Sequence, residues 1–217
     1  MKGDIIVIEE HHRRVATTIA DGLLDAIRSK AGRFVVTVAG ESGSGKSETA
    51  SALAECLLEA GLRSVVLGQD DYFVLPPRSN DQRRRNEPDW LGPHLEVHLY
   101  LLQANLDAAL AGADAITKPA VDYDANSIGT ENVDLEGVRV VIAEGTYVSL
   151  LRHVDARIFI ARSRLETREH RQKRNRGNEV NDPFIEGILG IEHKIIAGHR
   201  QLADFIISRD YEVDRAS

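Results

Sequence analysis

The eight residues Gly40-Glu41-Ser42-Gly43-Ser44-Gly45-Lys46-Ser47 constrain the fold most tightly, because they form a complete G-x-x-x-x-G-K-[ST] pattern. The pattern follows the apolar run Phe34–Ala39 and opens the Ala- and Leu-rich stretch Glu48–Ala60. A buried strand running through a glycine turn into a helix is the context in which these residues cradle phosphate. Glycines let backbone N–H groups turn inward around phosphate oxygens with no Cβ in the way, and the helix start adds its positive dipole end. Lys46 is expected to reach the outer phosphates of a nucleotide, and the Ser47 hydroxyl to bind Mg²⁺.

Five short runs rich in Val and Ile read as buried strands of a parallel sheet: Phe34–Ala39, Ser64–Leu67, Val138–Ala143, Ala156–Ile160 and Asp204–Ile207. Helical patterns lie between them, at Arg13–Lys30, Glu48–Ala60, Leu95–Leu110, Arg164–Arg174 and Pro183–Ala203. The expected architecture is α/β, a three-layer sandwich with a parallel sheet of about five strands, helices on both faces and a basic lid over about residues 162–182. Residues 1–32 read as an N-terminal helical extension and 33–217 as the main domain. Two irregular stretches, Asp71–Gly92 and Lys118–Asn132, are long enough to suggest function.

Composition excludes some classes of partner. A net charge of −7 argues against general nucleic-acid binding, which needs an excess of Lys and Arg. No apolar run approaches the roughly 20 residues that cross a bilayer. The short run Ile5–Ile8, followed by acidic residues, makes no signal-peptide core, and the single Cys56 excludes an internal disulfide. A cytoplasmic protein with no membrane partner is expected.

A phosphate cradle alone fits several enzyme classes. No Asn-Lys-x-Asp motif follows a later strand, which counts against a guanine-specific GTPase. The second strand ends in Gly68-Gln69-Asp70-Asp71-Tyr72-Phe73 and the third in Ala143-Glu144-Gly145, aiming carboxylates at the sheet edge where ligands bind. Arg164, Arg168 and Arg171 recur along one helix face, and Lys173, Arg174 and Arg176 continue the basic cluster. Folded over a nucleotide, such a helix would stabilise transferring charge and exclude water.

Together these motifs, from about Arg33 to Arg209, resemble the uridine kinase and phosphoribulokinase group of P-loop kinases. The resemblance implies an ATP-dependent kinase using Mg²⁺ and a small alcohol acceptor, with uridine or cytidine the leading candidates and self-association expected. By that likeness Asp70 is the catalytic base, with Asp71 its rival, and Lys46, Arg168 and Arg171 stabilise transferred charge. Gly40, Glu41, Ser42, Gly43, Ser44, Gly45, Lys46, Ser47, Glu48 and Arg176 would hold the nucleotide, and Ser47 and Glu144 the metal. Acceptor contacts would come from Asp70, Tyr72, Asp89, Trp90, Asp122, Tyr123 and Asn126.

The acceptor half departs from the family pattern. Asn86-Glu87-Pro88-Asp89-Trp90 shifts the frame of the Asp against the prolines, and Pro119-Ala120-Val121-Asp122-Tyr123 places either Val121 or Tyr123 at the expected tyrosine. Asn126 stands where the family tends to carry a His. A sugar, a sugar phosphate, a pantothenate-like alcohol, or no acceptor at all in a nucleotide-binding regulator, remain open alternatives, as does GTP for ATP. Arg83, Arg84 and Arg85 would favour an anionic acceptor if they face the site, whereas His11 and His12 read as surface.

Overall fold

The computed structural model describes residues 6–162, 166 and 182–216. Among them no helix is long and apolar enough to cross a membrane. The elements are α1 (Glu10–Ser29), β1 (Phe34–Gly40), α2 (Lys46–Glu59), β2 (Ser64–Gly68), α3 (Pro77–Asn86), α4 (Leu99–Leu110), β3 (Ala115–Asp122), β4 (Ser127–Asp134), β5 (Val140–Gly145), β6 (Ala156–Ile160), α5 (Pro183–Ile196), β7 (Phe205–Ile207) and β8 (Val213–Arg215).

Six strands form one sheet in the order β2-β5-β1-β6-β7-β8. The first five are parallel, and β8 returns antiparallel to β7. All seven residues of β1 are buried, as a central strand covered on both faces demands. Alternate side chains feed two cores. Phe34, Val36 and Val38 meet α1 and α2 on one face, whereas Val35 and Ala39 join Leu102, Leu106 and Ala109 of α4 on the other.

The segment read as an N-terminal extension lies inside this packing. Val15, Ile19, Leu23 and Ile27, four residues apart on α1, are each at most 4% exposed and share a cluster with α2 and the sheet. The helix is started by a reciprocal cap in which the Glu9 side chain accepts from the His12 amide and the His12 ring accepts from the Glu9 amide. His12 is therefore fully buried, not a surface residue.

Both irregular stretches contain regular structure. Residues 77–86 form α3, opened by Pro77 at its first turn. Residues 115–134 form the antiparallel hairpin β3–β4, with Ala115 opposite Asp134 and Asp122 opposite Ser127. The hairpin escapes pattern recognition because β4 is largely exposed and its residues, SIGTENVD, make no apolar run. The fourth helix starts at Leu99 rather than Leu95, since Val97 bridges to Phe73 in extended form. The last helix ends at Ile196, before a 3-10 turn over His199–Leu202.

Candidate active site

The carboxyl ends of β1, β2 and β5 and the starts of α2 and α3 surround a cavity of about 420 Å³. Its phosphate side is built by the turn from β1 into α2. Gly43 and Gly45 adopt φ of 75° and 93°, conformations open to glycine at no steric cost. A Cβ on Gly45 would also stand 2.9 Å from the His12 ring, which backs the loop from α1. No side chain caps the start of α2, so its first amides are available to an anion. Lys46 donates to the Glu41 carbonyl at 3.0 Å and lines the cavity with Ser42, Gly43 and Ser47. The Ser44 hydroxyl is buried in the loop with no hydrogen-bond partner among the described residues, as in a cradle shaped for a ligand. Glu41 pairs with His193 of α5 at 2.7 Å, linking the loop to that helix.

Opposite Lys46, the Ser47 hydroxyl donates to Glu144 Oε1 at 3.1 Å. Burial, reinforced by the nearby charge of Asp70, pushes the Glu144 carboxyl up to about 7, against the pull of Lys46. A hydroxyl and a crowded carboxylate at this edge are a donor set that fits a hard divalent cation, whose charge would relieve that crowding. Gly145 lets β5 pass close to the neighbouring turn: a Cβ there would lie 2.3 Å from the Gln69 Cβ. Gln69 in turn accepts the Tyr147 amide at 2.7 Å, tying β2 to the chain after β5.

The adjacent acids Asp70 and Asp71 sit on the 3-10 turn Gln69–Tyr72 and divide their tasks. Asp71 turns inward, where it binds Lys118 of β3 at 2.7 Å and accepts the Val121 amide at 3.1 Å. It clamps the hairpin to the sheet. Asp70 lines the cavity beside Lys46, Ser47 and Glu144 and makes no hydrogen bond among the described residues.

The remaining wall comes from α3, α5, the hairpin turn and Glu96. Glu96 is fully buried and accepts from Asn80, Arg84, Tyr147 and the Gly92 amide. The three consecutive arginines point three ways. Arg83 pairs with Glu87 and covers the Trp90 ring at 3.7 Å, Arg84 binds Glu96, and Arg85 bridges Asp81 and Asp182. Each is matched by a carboxylate, and Arg84 and Arg85 also line the cavity.

Of the residues expected at the acceptor, Asp70 and Tyr123 line the cavity. Tyr72 does not: it is fully buried, with its hydroxyl bound to Asn105, because the 3-10 turn drives its ring into the α4 core. Trp90 is spent on Arg83 and on a 2.8 Å bond from its indole N–H to Asn80, and Asp89 is exposed away from the cavity. Asp122 accepts the Ala125 amide within the hairpin turn, and Asn126 accepts the Arg78 amide, so both shape the turn instead of facing the cavity. Glu48 is buried in the first turn of α2, off the cavity wall. Arg168, Arg171 and Arg176 lie outside the described residues. Asn80, Glu96, Tyr147 and Glu192 join the wall without any local signal to announce them.

No family model matches the chain. It is 31% identical over 192 residues to the bifunctional α-galactosidase/sucrose kinase AgaSK of Mediterraneibacter gnavus; the match covers 83% of this chain and spans only 20% of that larger protein. It is 25% identical over 188 residues to a uridine kinase of Leuconostoc citreum, covering 80% of this chain and 86% of that one. The D-glycerate 3-kinase of Cryptococcus neoformans var. grubii shares the fold at a TM-score of 0.62 and 14% identity, over 94% of this chain and 99% of the other. In sequence and in fold this chain is similar to the P-loop kinases of the uridine kinase group.

Proposed function

We propose that the protein transfers the γ-phosphoryl group of ATP to a hydroxyl of a neutral small molecule. The observation that carries this reading is the division between Asp70 and Asp71: one carboxylate is engaged in the clamp, and its neighbour lines the cavity together with the phosphate loop. Asp70 accepts the proton of the acceptor hydroxyl as its oxygen forms a bond to the γ-phosphorus. The bond from that phosphorus to the bridging oxygen breaks, and ADP leaves with the electron pair. Lys46 and the amides at the start of α2 hold the charge that spreads over the phosphates. Ser47 and Glu144 are the residues that would hold Mg²⁺, which neutralises phosphate charge when bound. Sucrose and uridine, in the relatives' names, both carry sugar hydroxyls, and the carboxylate partners of Arg83, Arg84 and Arg85 favour a neutral acceptor over a sugar phosphate.

The test is ADP release with Mg·ATP across uridine, cytidine, free sugars, glycerate and sugar phosphates, for the wild type and Asp70→Asn. Stimulation by a neutral acceptor, lost in the variant, is expected. Slow ADP release indifferent to every acceptor would refute the reading and favour a nucleotide-binding regulator.

A further inference from the structure

The wall contributed by α5 holds a carboxylate that phosphoryl transfer does not use. Glu192 is 8% exposed and borders the cavity, yet neither of its oxygens makes a hydrogen bond within the described residues. One stops 4.0 Å from Arg84 Nη2, and the other has no partner. Its neighbour Glu96 is the opposite case, accepting from Gly92, Tyr147, Asn80 and Arg84. Arg84 lies 2.6 Å from Glu96 and is committed to it. Two carboxylates thus share one guanidinium, and Glu192 is the one left over.

A buried carboxylate without a hydrogen bond is rare enough in folded proteins to need an explanation. Here the surroundings supply one. Glu192 lies within electrostatic reach of both Lys46 and Asp70, so the missing donor belongs near the reacting atoms. Rotation about the last side-chain torsion of Glu is soft, which lets either oxygen turn to the cavity. An ionised phosphate oxygen cannot donate to its carboxylate form. Away from the phosphate loop, Asp70, Asp81, Glu96, Asp182 and Glu192 face Arg78, Arg84 and Arg85 around the described wall, which leaves no net positive charge for an anion beyond the nucleotide. A neutral ligand with several hydroxyls satisfies both conditions.

We propose that Glu192 is the acceptor-recognition residue, receiving a hydrogen bond from a second hydroxyl of a neutral, polyhydroxylated acceptor while Asp70 serves the reacting one. The role of Asp70 rests on the kinase reading above; that of Glu192 rests on the unfilled wall. The shared chemistry is a set of neighbouring ring hydroxyls, presented by a free sugar or by the ribose of a nucleoside. Burial pushes the Glu192 carboxyl up to about 7 in the absence of such a donor, consistent with a group awaiting one.

The experiment is calorimetric titration of the full chain, with an unreactive ATP analogue and Mg²⁺ present, with uridine, a free pentose, a free hexose and a hexose phosphate. Wild type and Glu192→Gln are compared, with ADP release measured in parallel. A hydrogen bond to a charged group sets the expected loss in Glu192→Gln at about 10- to 100-fold in neutral-acceptor affinity, with affinity for the ATP analogue unchanged. A singly deoxygenated analogue of the bound sugar should lose the same factor against wild type and be indifferent to the substitution, a readout that survives if the variant folds poorly. Binding of uridine without the free sugars assigns the hydroxyls to a nucleoside, and the reverse assigns them to a free sugar. The proposal is overturned if Glu192→Gln binds the acceptor as wild type does, if only the hexose phosphate binds, or if nothing in the panel binds. Glu192-dependent binding with no acceptor-stimulated ADP release would leave it standing and sink the kinase reading instead.

Discussion

Two adjacent substitutions, Asp71→Asn and Asp70→Asn, should fail in different ways. The Asp71–Lys118 pair is 2.7 Å long, with side chains 9% and 6% exposed. Breaking a buried pair costs about 3–5 kcal/mol because it strands the surviving charge. Here Lys118 keeps Glu131 at 3.1 Å, a half-exposed partner, and Asn can still accept the Val121 amide. The loss should therefore fall to about 2–3 kcal/mol. For a chain of 217 residues this lowers Tm by roughly 5–10 °C. Asp70 has no such bond to lose, and its charge crowds Glu144. Asp70→Asn should leave Tm unchanged or slightly raised while turnover falls about 10²- to 10⁴-fold. Differential scanning calorimetry and a coupled ADP assay at saturating acceptor measure both quantities. The division of roles is refuted if Asp71→Asn keeps its Tm within about 1 °C of wild type and loses turnover, or if Asp70→Asn stays active.

Two further substitutions probe packing and pH. Gly145→Ala places a Cβ 2.3 Å from the Gln69 Cβ and should cost about 1–3 kcal/mol together with activity, because Gln69 precedes Asp70; Gly187→Ala on α5, with nothing within 4 Å, should stabilise by about 0.5–1 kcal/mol, and thermal unfolding distinguishes the two. The raised carboxyl of Glu192 predicts a pH dependence. Below its ordinary value of 4.5 the group is protonated folded or unfolded; between 4.5 and about 7 only the native state keeps the proton, so the stability it contributes drains away as pH rises and is gone above about 7. Glu192→Gln should therefore gain on wild type from pH 5 to pH 8, by about 3 kcal/mol at most, and equal unfolding curves at both pH values would refute it.

The phosphate side of the site is readable in the chain because its chemistry acts through the backbone of eight consecutive residues. The central strands are readable for a related reason: β1 and β5 are covered on both faces, so nearly every residue is apolar. The hairpin β3–β4 has one face in water and carries Pro119 in its first strand, which leaves no period to detect. The rest of the cavity wall is harder still, since Asn80, Glu96, Tyr147 and Glu192 come from four separate segments and meet only after the sheet forms. Three adjacent arginines look alike in sequence, but one helical turn sends them to Glu87, Glu96 and Asp182. The different surroundings of Asp70 and Asp71 likewise depend on Lys118, forty-seven residues beyond Asp71.

The phosphate loop is backed by residues from opposite ends of the described chain. His12 stands behind Gly45, and the Tyr211 ring, carried by the turn between β7 and β8, lies 3.8 Å from His11 while its hydroxyl bonds Arg162. Bringing such distant segments together carries a larger loop-closure entropy than any contact within the loop itself. The backing is thus the part of the nucleotide cradle that fraying of either end would release first, and hydrogen exchange at the start of α2 would register that release while the central sheet stays protected.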